Sequence, residues 1–224
     1  MTVADLILDY KIKADKLDSQ SYPEIQDEVI VFLLNEAIIR FIKQRYGGVN
    51  PKRDSFEESQ KRTDDLRTVV VYDTIAASGA GFFPNSQEHP LPADYWFSIL
   101  EQTDVTCDCN GTPTPKREGI KAIQHNNINT VLKDPFNRPD EYNVVRVIAQ
   151  NNIQVITDGG CTSGDLYLGY IADNFRLDPL TPAQVVNMPI HTHSEIVDIA
   201  ITLTLDNVES GRFNINRLIL SEQE

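Results

Sequence analysis

A chain of 224 residues with a formal net charge of −13 and a pI near 4.7 can build a full hydrophobic core, as one large domain or two closely joined ones. Apolar and charged fractions of 41% and 24% exclude a disordered polymer, and the acidity excludes sequence-independent nucleic-acid binding, which needs a basic surface. Residues 1–9 lack the basic start and apolar run of a secretory leader, and an odd three cysteines argue against a disulfide framework and fit a reducing cytosol.

A first helix is expected over residues 2–17. Val3, Leu6, Ile7, Tyr10, Ala14 and Leu17 recur at helical spacing, and Thr2 with Asp5 caps the start. The stretch 21–48 is the expected centre of the fold. Ser21 with Glu24 forms a capping box, Pro23 is tolerated in the first turn, and Gly47-Gly48 before Asn50-Pro51 stops the helix. Its interior is an apolar run over 29–34 followed by Ala37, Ile38, Ile39, Phe41 and Ile42, which point all around the cylinder. Asn35, Glu36, Arg40 and Lys43 break the run too often for a membrane span. A helix with no polar face is either a core helix or one that also packs on a second subunit, with Val31, Phe32, Ile38 and Ile39 as interface candidates. Ser55 with Glu58 opens a further helix to about Arg67, which has few large apolar residues and is expected on a solvated rim.

The pattern then turns to strands. Residues 68–77 are β-branched, and 91–96 lead into a long strand toward Cys109. Between them, 78–89 is glycine-rich and reads as a loop whose Phe82 and Phe83 either dock on a partner or cover the core. After a turn at 110–115, the segments 119–124, 142–149, 152–157 and 165–172 have antiparallel spacing. Residues 133–141 and 178–189 are proline-interrupted connections. Near the C-terminus, Thr192 with Glu195 makes another capping box and Ser210-Gly211 a stop. The interior between them is β-branched and alternates like a strand, but the end signals favour a helix. Residues 212–220 end as a strand or extended arm. The resulting expectation is an α+β fold: helices at 1–67, an inserted antiparallel β-rich domain at 68–189, and a returning helix with an arm at 190–224.

Candidate chemistry is sparse. His191, His193 and Glu195 have zinc- or iron-compatible side chains, which supports a metal-dependent enzyme as an alternative. At a helix start, however, alternate residues do not share a face. Cys107, Cys109 and Cys161 lack paired zinc-knuckle spacing and read as plain thiols. The glycine-rich 159–164 lacks a Walker lysine and reads as a hairpin loop. Asp134, Asn137, Asp140 and Glu141 lack EF-hand spacing. No catalytic residue, cofactor or metal ligand is assigned. A β-sandwich that binds host surfaces is the third class considered.

Two long stretches, LNEAIIRFIKQRYGGVNPKRDSFEESQKRTDDLRTVVV and PIHTHSEIVDIAITLTLDNVESGRFN, with LPADYW and KDPFNRPDEYNVV between them, resemble ring proteins of the head-to-tail connector (tail adaptors) in crAss-like bacteriophages of gut Bacteroides. The resemblance spans about residues 21–214. It implies a virion structural protein, a helical bundle with a β-rich domain, in a homo-oligomeric and often twelvefold ring beneath the portal. Such a ring would bind the portal and adjacent tail proteins, pass genomic DNA without holding it, and assemble in the host cytoplasm with no membrane. It carries over no catalytic residue.

Overall fold

The computed structural model describes residues 1–17, 25–47, 60–107 and 115–207. Outside these lie the Ser21/Glu24 and Ser55/Glu58 boxes, Cys109, most of the 110–115 turn, the Ser210-Gly211 stop and the 212–220 arm. The chain forms two compact units: Met1–Val69 with Asn174–Glu224, and Val70–Asp173.

The first unit is helical. Helix α1, Val3–Leu17, opens on the reciprocal cap expected of its sequence: the Thr2 amide donates to Asp5 Oδ2 at 2.8 Å, and the Asp5 amide to Thr2 Oγ1. Two more of its first amides, Val3 and Ala4, donate to the carbonyls of Gln184 and Pro182, so donors that no helix can satisfy internally are paired. Helix α2, Asp27–Gly47, buries Ile30, Val31, Leu33, Leu34, Ala37, Ile38, Phe41 and Ile42. Its remaining stripe, Val29, Phe32, Arg40 and Lys43, faces out. The short helix α3, Gln60–Leu66, buries Asp65 and Leu66, so its last turn enters the core instead of lying on a solvated rim.

Further along the chain, helix α4, Ile128–Lys133, belongs to the second unit, and α5, His193–Asn207, completes the first. The strand-like alternation of α5 is compatible with a helix because almost every apolar residue in it is buried, Ile196, Val197, Ala200, Ile201, Leu203 and Leu205 among them. Thr202 and Thr204 donate to the carbonyls one turn back, a bond that lets a threonine sit inside a helix. Tyr10 Oη then donates to Thr204 Oγ1 at 2.6 Å, and Lys13 Nζ reaches Ser194 Oγ and Asp198 Oδ1, joining α1 to α5. Asn35, which reads in sequence as an interruption, clasps the backbone of Leu177 through both its amide oxygen and its nitrogen at 2.8 and 3.0 Å. That clasp docks the segment after residue 173, whose Phe175, Leu177, Val186 and Met188 are buried.

The second unit is one eight-stranded sheet. Its strands are β1 Val70–Ile75, β2 Gly79–Ala80, β3 Ser86–Pro90, β4 Tyr95–Cys107, β5 Lys116–Ala122, β6 Val144–Ala149, β7 Asn152–Ile156 and β8 Cys161–Ala172. They run in the order β1-β8-β4-β5-β6-β7-β3-β2. All neighbours are antiparallel except β5 and β6, which are parallel. This departs from the antiparallel spacing expected of the sequence, because a parallel pair needs a long crossover. Residues 123–143, which contain α4, supply one. The sheet curls. Strand β5 pairs with β4 through Lys116–Gly119 and with β6 through Ile120–Ala122, while β4 has three register shifts against β8, which bend and twist a strand. Ser163 Oγ of β8 donates to Gln87 Oε1 of β3 at 3.2 Å, and one core gathers Val105, Leu166, Leu168 and Tyr170 with Val144, Ile153 and Val155. At Gly169 of β8 the side chains of β1 and β4 leave no room for another: a Cβ there would lie 2.8 Å from the Tyr72 ring and 3.2 Å from Leu100 Cβ.

Two further sequence readings change. Residues 78–89 are not a plain loop: β2 and β3 form a hairpin whose turn places Asn85 at φ 54°, a conformation asparagine tolerates. Cys161 begins β8 instead of sitting in a hairpin loop, and it is disulfide-bonded to Cys107, its register partner on β4. Antiparallel register brought together two of the three cysteines, which spacing alone could not do. The bond closes a sequence separation of 54 residues. Reduction, or Cys107→Ser, should lower stability by about 2–4 kcal/mol, read as a drop in the chemical-denaturation midpoint with and without dithiothreitol.

Candidate functional site

The residues singled out as metal candidates diverge. His191 Nε2–H donates to Asp65 Oδ1 at 2.9 Å. His193 turns inward, where its Nε2–H donates to the Met188 carbonyl at 3.0 Å. The Glu195 carboxylate accepts from Arg45 Nη2, and the Thr192 hydroxyl donates to the Pro189 carbonyl. Among the described residues, no three His, Cys, Asp or Glu side chains are grouped to hold a metal ion.

What the helical unit holds instead is a buried charge cluster. Arg45 is 3% exposed and Asp65 2%. Arg45 Nε donates to Asp65 Oδ2 at 2.9 Å, and its guanidinium lies 4.8 Å from the centroid of the Phe41 ring. The end of α2, the end of α3 and the start of α5 are therefore fastened at one cation. Sequence reasoning missed the cluster, since an arginine in the last turn of a helix reads as an ordinary dipole partner. Its only signal is position: Arg45 falls on the stripe of Leu34, Ile38, Phe41 and Ile42, all buried.

Two histidines are buried without full pairing. His89 Nδ1–H donates to the Ile75 carbonyl, and neither His89 Nε2 nor His193 Nδ1 meets a hydrogen-bond partner among the described residues. Desolvation holds both pKa values below the ordinary histidine value of 6.5.

The interface candidates separate clearly. Val31 and Ile38 are in the protomer core, at 1% and 0% exposure. Phe32 is 64% exposed and Ile39 half-buried. In the β unit, Phe82 is 85% exposed, while Phe83 packs against Ile128, Val145, Val147 and Ile156. The two rings meet edge to face, with centroids 5.3 Å apart. Beneath Phe82 lies a cavity of about 430 Å³, lined also by Glu88, His125, Gln150, Asn152 and Gln154. The backbone that carries Phe82 is tied to β7, because the Phe82 amide donates to Gln154 Oε1. Sequence flags the phenylalanines only; the amides and Glu88 join them through the β3–β7 register.

The sequence profile described as phage tail ring protein 3/4 matches residues 1–211. The chain belongs to this crAss-like phage ring protein family. Among curated proteins none matches significantly. As a tail ring protein it is a structural part of the tail or connector, not an enzyme. No helix among the described residues is long and apolar enough to cross a membrane.

Two predictions follow from the buried groups. Arg45→Ala should cost roughly 3–5 kcal/mol, because the buried Asp65 carboxylate would lose its arginine and keep only the His191 bond; equilibrium unfolding in urea measures it. The histidines give a pH dependence. Their native pKa values lie below the unfolded one, so the unfolded chain binds more protons in between. Stability should be complete above pH of about 6.5 and fall progressively as pH drops toward the lowered native values. Melting temperatures at stepped pH check this, and His193→Gln should flatten the slope.

Proposed function

We propose that copies of this ring protein close into a homo-oligomeric ring, twelvefold in the crAss-like virion, between the portal and the adjacent tail proteins. The ring continues the channel through which the genome passes. It assembles in the host cytoplasm and remains in the virion. The family match over nearly the whole chain carries this reading. The net charge of −13 supports it, since an acidic lumen repels DNA and keeps it from sticking.

A ring of identical copies uses heterologous contacts, in which two different surfaces of each subunit meet. Phe32 with Ile39 on α2, and Phe82 with Phe83 on the β2–β3 hairpin, are proposed as parts of those surfaces. Val31 and Ile38, sequence candidates for the same role, serve the core instead. The mechanism is geometric: oligomerise, seal, and bind one partner on each side.

The test is light scattering and negative-stain microscopy of the purified chain, alone and with its portal. Rings are expected. A strict monomer in both samples sinks the proposal. Phe32→Asp should abolish or weaken ring formation while shifting protomer stability by no more than about 0.5 kcal/mol, as for other exposed positions.

A further inference from the structure

We propose that the cavity beneath Phe82 receives an arginine-bearing apolar segment, and that its occupant is residues 212–220 of a neighbouring copy. The inference rests on the ring reading only in taking that segment from a second copy.

The receptor side is built from side chains of set position. Glu88 is half-buried on β3, and its carboxylate accepts from Gln154 Nε2 at 2.9 Å and Asn152 Nδ2 at 3.3 Å. Both partners are neutral. Among the described residues no cation pairs with Glu88, and these two amides account for its side-chain bonds. A carboxylate held in place by two amides and left without a counter-ion is prepared for a cation from outside. Beside it stands Phe82, exposed yet pinned through its backbone to Gln154. An anionic group next to an aromatic wall suits a guanidinium, which can pair with the carboxylate and lie against the ring. An exposed aromatic is also a side-chain type that anchors interfaces.

The occupant is chosen by charge complementarity. In a chain with 33 acidic and 20 basic residues, residues 212–220, RFNINRLIL, hold two arginines and no acid. Apolar residues stand beside each arginine: Phe213 follows Arg212, and Leu218-Ile219-Leu220 follows Arg217. The segment follows α5, which ends at Asn207. From there to Arg217 an extended chain reaches roughly 33–36 Å, on the order of a small-domain diameter. That is enough to cross from one copy to the next.

The experiment titrates a fluorescein-labelled peptide of residues 208–224 into the full chain carrying Arg212→Gln and Arg217→Gln, whose own segment no longer competes. Fluorescence anisotropy should show saturable binding that weakens with added salt. Glu88→Gln in the receptor, which keeps an oxygen for the Gln154 amide, should weaken binding at least tenfold, and so should the two Gln substitutions in the peptide. No binding, or binding indifferent to Glu88→Gln, overturns the inference. Ring formation is scored separately on the wild-type chain by microscopy. Rings without peptide binding overturn this inference alone; peptide binding by a chain that forms no rings supports the site and overturns the ring reading.

Discussion

The helical unit depends on one buried cation. Arg45 leaves water at the end of α2 and finds its compensation on two other elements, Asp65 of α3 and Glu195 of α5, with His191 completing the Asp65 carboxylate. Placing such charges in a core is costly unless the geometry is right. The cluster therefore acts as a test of correct assembly, satisfied only when the first third of the chain and its returning helix meet in the proper register. The apolar packing of α2 on α5 is non-directional by comparison, and many alternative packings could bury the same leucines and isoleucines.

The β unit solves a different problem. An open sheet of eight strands exposes too much apolar surface on one face, and curling lets that face pack on itself. The means are local: a strand that exchanges neighbours halfway along, irregular register between β4 and β8, and a glycine where three strands crowd. The β2–β3 hairpin is held by β7, so exposed Phe82 at its turn is carried on a paired scaffold. Residues that could have served chemistry are spent elsewhere: two histidines on backbone carbonyls, two cysteines on each other, and a carboxylate on a buried arginine.

Much of the fold was legible. The cap at Thr2 and Asp5, the long central helix and the strands around 70–75, 95–107, 144–149, 152–156 and 165–172 all follow from local periodicity and end signals, which are properties of neighbouring residues. The hairpin strand β3 was not, because Ser86-Gln87-Glu88-His89-Pro90 has neither alternation nor β-branching, and only its pairing with β7 makes it a strand. Helix α4 and the parallel pairing of β5 with β6 were hidden for the same reason. In the candidate site, aromatic exposure could be suspected from Phe82 and Phe83, whereas the side chains that equip the cavity come from positions 88, 125, 150, 152 and 154, and no spacing rule links them.

The sequence by itself determined the class of molecule. It specified an acidic α+β chain with helices at both ends and strands between, no catalytic motif, and a pattern characteristic of crAss-like ring proteins. Tertiary structure alone decided which faces of those elements are inside: that Ile38 belongs to the protomer while Phe32 is exposed, that Cys107 meets Cys161, and that Arg45 is buried between two carboxylates. The division has a physical cause. Periodicity and caps act over a few residues, but burial, cross-strand register and charge pairing are set by groups distant in the chain, and only the folded molecule brings them together.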